Sequence, residues 1–208
     1  MKYEIDNRIV EVVINKKSNK NTYIRVKSGK IYVSTNYFAT KLYIKKLLDN
    51  NKNSLIKMLK KDTEKEEFNN KFYYLGNEYD IITVPSLDID ITENQIFVKS
   101  EEYLNKWLKK QISITYKERL DYIYNLFEEN IPYPNLKIRK MKTRWGVCNR
   151  KNNNVTLNSE LIKYGINQID YVIVHELSHF IHFNHSSSFW TLVSKYCPNY
   201  KSIRKSLK

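Results

Sequence analysis

The stretch QIDYVIVHELSHFIHFNHSSSFW, residues 168–190, holds every histidine of a 208-residue chain: His175, His179, His182 and His185. Its first sixteen residues place Ile169, Val172, Ile173, Leu177, Phe180 and Ile181 at helical spacing, which predicts a largely buried helix running to Phe183. Asn167 is the expected N-cap, with Asp170 at the third helical position as an acidic variant of the capping box. Within this helix lies His175-Glu176-Leu177-Ser178-His179, the pattern H-E-x-x-H. Four residues advance a helix by about 400°, so the two imidazoles leave one face one turn apart and can meet one ion. Glu176 is offset by about 100°, close enough to reach a water on that ion without displacing a histidine.

Imidazole ligands with an open water position suit zinc, and a catalytic zinc site needs a third protein ligand. A later acidic residue is ruled out, since Leu177 to Lys208 contains neither Asp nor Glu. His182, His185 and Cys197 remain. His182 lies seven residues from His175, about 10 Å of helical rise, too far to share an ion with both His175 and His179 on an unbroken helix. His185 arrives if the helix stops before it. Asn184 tolerates the left-handed conformation that ends helices, and the serines after His185 can open a new cap. The expected ligands are therefore His175, His179 and His185, with His182 a neighbour or a surface residue. In that arrangement the ion would lower the pKa of its water, and Glu176 would take the proton as general base and hand it to a leaving amine.

Upstream, LKIRKMKTRWGVC and NVTL are short apolar alternations around the turn NRKNNN and predict a small antiparallel sheet. Ser100 to Asn130 reads as one long amphipathic helix ended by Pro132 and Pro134. Before residue 100 the pattern is mostly strand-like. TYIRVKSGKIYVS carries a hairpin turn at Ser28-Gly29, and YYLGNEYDI carries one at Gly76-Asn77. Between them the helical run from Lys41 has an Asn-rich break near its middle. The expectation is an α+β protein with a β-rich basic part over 1–100 and a metal-helix domain over 101–208. No internal repeat stands out.

Composition bounds the partners. With 41% apolar residues the 25.1 kDa chain can bury a real core. It has no run of roughly 18 apolar residues to cross a membrane and no signal-peptide core at its start, so a cytoplasmic location is expected. Two cysteines, Cys148 and Cys197, are too few for a disulfide framework and read as buried thiols. The net charge is +14, and residues 1–60 hold 14 Lys/Arg against 4 Asp/Glu, an excess of 10. That bias suits a solvated face, or attraction of nucleic acid, nucleotides or acidic protein segments. Oligomeric state is not legible.

The segments RKMKTRWGVC, VTLN, IDYVIVHELSHF and NHSSSFW together resemble the YgjP-like zinc metallopeptidase family, which is related to the SprT-like proteases. TYIRVKSGKIYVS and YYLGNEYDI are similar to that family's β-rich amino-terminal part. The resemblance implies a zincin-like domain, Zn2+ on His175, His179 and His185, Glu176 as general base, and polypeptide substrates. Val147 departs from the serine usual in the Trp-Gly-Ser-Cys segment, and the proline often found before the metal helix is missing. Arg144 and Trp145, on the strand expected beside that helix, are candidate substrate-binding residues, the strand edge offering main-chain pairing to an extended peptide. A nucleoside triphosphate pyrophosphatase activity, also attributed within the family, is the alternative. Against it stand only four glycines, with no Gly-rich phosphate cradle, and no carboxylate cluster for magnesium near the histidines. A third alternative is a non-catalytic zinc-stabilised module binding nucleic acid through the basic part, which leaves Glu176 without a use.

Overall fold

Alternating apolar residues open the chain and build a four-stranded sheet from β1 (Lys2–Ile5), β2 (Arg8–Lys16), β3 (Tyr23–Lys27) and β4 (Lys30–Thr35). The structure, a computed structural model, describes residues 1–207. Two hairpins form through turns whose central residues all have positive φ, Asp6-Asn7 and Ser28-Gly29. Such turns match the right-handed twist of the strands they join. The hairpins then associate through parallel pairing of β2 with β4, giving the order β1-β2-β4-β3. Val10, Val12, Ile31 and Val33 point to one face, where they are sealed by Ile44 and Leu48 of α1 (Lys41–Asn50) and Leu55 of α2 (Lys52–Asn70). Asn51 separates these two helices, at the break the Asn-rich sequence predicts.

A second sheet repeats this plan. β5 (Phe72–Tyr74), β6 (Asn77–Thr83), β7 (Ile89–Ile91) and β8 (Gln95–Val98) run in the order β5-β6-β8-β7, again two antiparallel pairs joined by a parallel one, β6 with β8. The turn expected at Gly76-Asn77 falls on Leu75-Gly76, both at positive φ, and Asn77 opens the next strand. A helix follows each sheet. The shared strand order is a matter of connectivity, which period-two alternation, carrying only face, does not specify.

The chain divides into two compact units, the first Met1–Lys71 and the second starting at Phe72. This division precedes the boundary expected near residue 100. The reason lies in β5, where Leu75 N–H donates to the Ile162 carbonyl at 2.8 Å and Tyr74 packs its ring 5.0 Å from that of Trp107. Those contacts join the second sheet to the helical part downstream. The molecule is thus an α+β protein with a β-rich amino-terminal part, and no described helix is long and apolar enough to cross a membrane.

In the second unit α3 (Glu101–Leu126) is capped by Ser100, whose hydroxyl accepts from Tyr103 N–H at 3.2 Å. It ends before Phe127 and not at Asn130. β9 (Asn135–Arg139), β10 (Gly146–Asn149) and β11 (Asn154–Asn158) form a sheet of order β10-β11-β9. β10 pairs antiparallel with β11 across the NRKNN turn, but β9 pairs parallel with β11, so the sheet is mixed and not purely antiparallel. The segment after β9 must cross over the sheet end, and buried Asn158 anchors it there. Its Nδ2 donates to the Met141 and Arg144 carbonyls at 2.9 and 2.8 Å, and its Oδ1 accepts from Met141 N–H. β10 is left as an edge strand beside α4 (Ile166–Ser178).

Candidate metal centre

α4 is buried along most of its length, as its apolar content predicts, but both ends differ from expectation. Gly165 is the N-cap, not Asn167, and no side chain caps the helix. Asp170 is drawn away from capping by Arg119 of α3, which donates to it through Nε and Nη2 at 2.7 and 2.6 Å. This half-buried two-point ion pair fixes the rotation of α4 on α3. At its other end the helix stops at Ser178 instead of continuing to Phe183. The amides of Phe180 and Ile181 donate to the carbonyls three residues back, a tightened last turn. His179 is the C-cap residue. A short turn then leads to α5 (Ser187–Tyr196), whose cap is Ser186, its hydroxyl accepting from Phe189 N–H. The early stop and the new cap bring His185 back over α4.

His175, His179 and His185 converge, each offering one ring nitrogen within 4.8 Å of the other two. Nε2 of His175 and Nε2 of His185 stand 3.1 Å apart. Tetrahedral ligands at zinc–nitrogen distances of about 2.0–2.1 Å are separated by about 3.3 Å, so the His175–His185 pair already stands at the spacing such an ion requires. His179 Nδ1 lies 3.0 Å from the His182 carbonyl. A proton on Nδ1 is donated there and leaves Nε2 bare for a metal. His182 therefore contributes its backbone, and its imidazole stays outside the cluster, as does Cys197. Burial, reinforced by His179, His185 and Arg204, pulls the His175 imidazole down to about 3, and burial also lowers that of His179. Both rings are consequently neutral at physiological pH, the form in which an imidazole can take a metal. The Nδ1 of His175 is buried without a hydrogen-bond partner, so nothing on that side of the ring fixes its tautomer.

Phe189, fully buried, touches all three rings, with centroids 4.9, 4.6 and 4.8 Å from His175, His179 and His185. Trp190 stacks on His185 at 5.5 Å and on Tyr200 of α6 (Tyr200–Ser206) at 5.1 Å. These aromatics form the wall that holds the imidazoles. The sequence marks them only as apolar positions of a helix.

Glu176 is 4% exposed and faces β10. Burial pushes its carboxyl up to about 8, while the Cys148 amide and the Arg144 guanidinium pull the other way. A Cβ on Gly146 would lie 2.5 Å from Glu176 Oε1 and 2.7 Å from its Cγ. The strand therefore approaches the carboxylate as closely as only glycine permits. Gly146 and Asn158 belong to the site but were not singled out by sequence; the polar residue closing an otherwise apolar strand was the available signal for Asn158.

Arg144 is exposed on the rim of the cleft beside the imidazoles. Trp145 is half-buried; its indole N–H donates to the Leu207 carbonyl at 2.8 Å and its ring meets Tyr164 edge-on, so most of it packs and only part faces the cleft. Cys148 and Cys197 are free thiols, and burial lifts both from their usual range.

Among known families, the sequence pattern of the YgjP-like metallopeptidase domain matches residues 20–208. The chain belongs to that family. Membership in the YgjP-like family makes it a metallopeptidase, a peptide hydrolase that works with a catalytic metal, and the three convergent imidazoles can hold one. The comparison with curated proteins gives no match. Among solved structures the chain is similar to the metallopeptidase zymogen abylysin of Pyrococcus abyssi, with 25% identity over 44% of this chain and 90% of that one and a TM-score of 0.41. It is also similar to the zymogen jannalysin of Methanocaldococcus jannaschii, with 24% identity over 47% and 97% and a TM-score of 0.35.

Proposed function

We propose that this YgjP-like protein is a zinc-dependent peptidase in which His175, His179 and His185 hold the ion and Glu176 is the general base. The observation that carries the reading is a buried carboxylate, aimed between an edge strand and a cluster of three imidazoles, with no competing carboxylate in the cluster. A zinc ion there supplies Lewis acidity, polarising a carbonyl and acidifying water. With a zinc charge beside it favouring the ionised form over the burial that raises its pKa, Glu176 would accept the proton of the attacking water and deliver it to the departing amine. Gly146 keeps that carboxylate against the strand, and the His182 carbonyl keeps His179 Nε2 free of a proton. The unpaired edge of β10 offers an extended polypeptide a ladder of backbone groups, with Arg144 and Trp145 at the rim. Two free thiols suit a reducing compartment, and the cytoplasm is the proposed location.

The test is Glu176→Gln. The amide is nearly isosteric but cannot take the proton, so zinc content should stay at one per chain while cleavage of unfolded polypeptide falls roughly 10²–10⁴-fold. Unchanged cleavage in this variant would remove Glu176 from the reaction.

A further inference from the structure

Residues 131–208 hold thirteen Lys/Arg and only three carboxylates, Glu160, Asp170 and Glu176. All three are engaged. Glu160 pairs with Lys140 and Lys163, Asp170 pairs with Arg119, and Glu176 lies buried against Gly146. The cleft beside the imidazoles, ≈ 660 Å³, carries Arg144, Arg150 and Arg204 and no carboxylate except Glu176. A second cavity of ≈ 810 Å³ shares Val147, Cys148 and Arg150 with it, adds Lys151, and has no carboxylate. Among the described residues none of these four cations forms an ion pair. Arg204 is nevertheless held in place, its guanidinium 4.8 Å from the Trp190 ring. Four cations without an ion pair, lining two cavities that share Val147, Cys148 and Arg150, make a positive field along this face of β10 that a bound anion relieves.

We infer that the groove selects acidic polypeptide: a segment lying extended along β10 with Asp or Glu side chains on both sides of the bond to be cut. This rests on the peptidase reading and narrows its substrate. Arg144 and Arg150 bracket the four residues of β10, about 13 Å of strand at 3.3 Å per residue, and Glu176 meets the strand between them at Gly146. Cations spread over that length match carboxylates repeating every second residue of an extended chain, about 6.6 Å apart. A compact triphosphate is held by a cradle of converging backbone amides, and the chain's four glycines, Gly29, Gly76, Gly146 and Gly165, form no Gly-rich loop of that kind.

The experiment uses the zinc-loaded full chain carrying Glu176→Gln, which binds without cutting. Two fluorescein-labelled peptides, identical except that Asp and Glu flanking the central bond are replaced by Asn and Gln in one, are titrated by anisotropy at low and high salt. The acidic peptide should bind at least tenfold more tightly, with the advantage shrinking at high salt. Adding Arg150→Gln or Arg204→Gln should cut that advantage severalfold each, with zinc content and melting temperature recorded to show an intact fold. Equal binding of the two peptides, or an advantage indifferent to both substitutions, overturns the inference. So does a nucleoside triphosphate that displaces the acidic peptide far better than an oligoglutamate of equal charge, since the cations would then belong to phosphate. Cleavage assays with the native Glu176 protein separate the two levels. Equal cutting of both peptides removes the specificity alone, whereas failure to cut either removes the peptidase reading with it.

Discussion

Replacing Gly146 by Ala probes the closest approach in the site. The new methyl carbon would lie 2.5 Å from Glu176 Oε1, 2.7 Å from Cγ and 2.8 Å from the carboxyl carbon, all inside van der Waals contact. Restoring carbon–carbon separations of about 3.5 Å requires a relative shift of about 0.7–1 Å. α4 cannot yield, because Ile173, Val174, Leu177 and Ser178 around Glu176 are buried. The movement must come from the edge strand or from rotation of the carboxylate away from its working position. Overpacking of this kind costs about 1–3 kcal/mol, or roughly 2–10 °C in melting temperature for a chain of this size. A displacement near 1 Å at a catalytic group costs on the order of 10²-fold in rate. The expected result for Gly146→Ala is a kcat reduced about 10²-fold on unfolded polypeptide, with zinc content unchanged because no imidazole is touched. Activity within threefold of the parent would show that the carboxylate does not work from its place against β10.

Three further outcomes are expected. His185→Ala should lose zinc at chelator concentrations that leave His182→Ala loaded, because His182 acts through its carbonyl; equal loss in both, measured by competition with a chromogenic chelator, would remove His185 from the ligand set. The Cys148 thiol, lifted to about 12 by burial and then by the Glu176 carboxylate, stays protonated as pH rises through 8, so iodoacetamide should modify it at least 10²-fold more slowly than a free thiol of pKa about 8.5; modification as fast as glutathione would contradict that burial. Phe189→Ala should destabilise the protein by about 3–5 kcal/mol and also weaken zinc binding, since it removes a fully buried ring touching all three imidazoles; calorimetry with and without chelator separates the two effects.

The imidazole cluster was legible because its determinants are local. A five-residue helical repeat aligns His175 with His179, and the absence of acids after Glu176 left few candidates for the third position. What sequence could not carry was decided by partners far along the chain. Asn167 and Asp170 satisfy the rules for a helix start, yet Arg119, 51 residues away, captures Asp170 and the start moves to Gly165. The end of α4 at Ser178 depends on where His185 and Phe189 can pack, which no local propensity encodes. Likewise Gly146 reads as an ordinary strand glycine until Glu176 is placed against it. The parallel partnership of β9 with β11, and the strand order common to both four-stranded sheets, are matters of connectivity, about which alternating hydrophobicity is silent.

The imidazoles of His175, His179 and His185 all fall within eleven consecutive residues. Closing so short a loop costs an unfolded chain only about 2 kcal/mol of entropy, so a denatured polypeptide retains much of the ability to chelate. An ion bound by both native and denatured forms stabilises only by the ratio of its two affinities. Stripping the metal should therefore lower the melting temperature by less than the native dissociation constant alone would dictate. On the proposed ligand set, the ion would also be captured by the nascent α4–α5 turn before the strands upstream have paired, and would stay with that turn through excursions in which the rest of the chain opens.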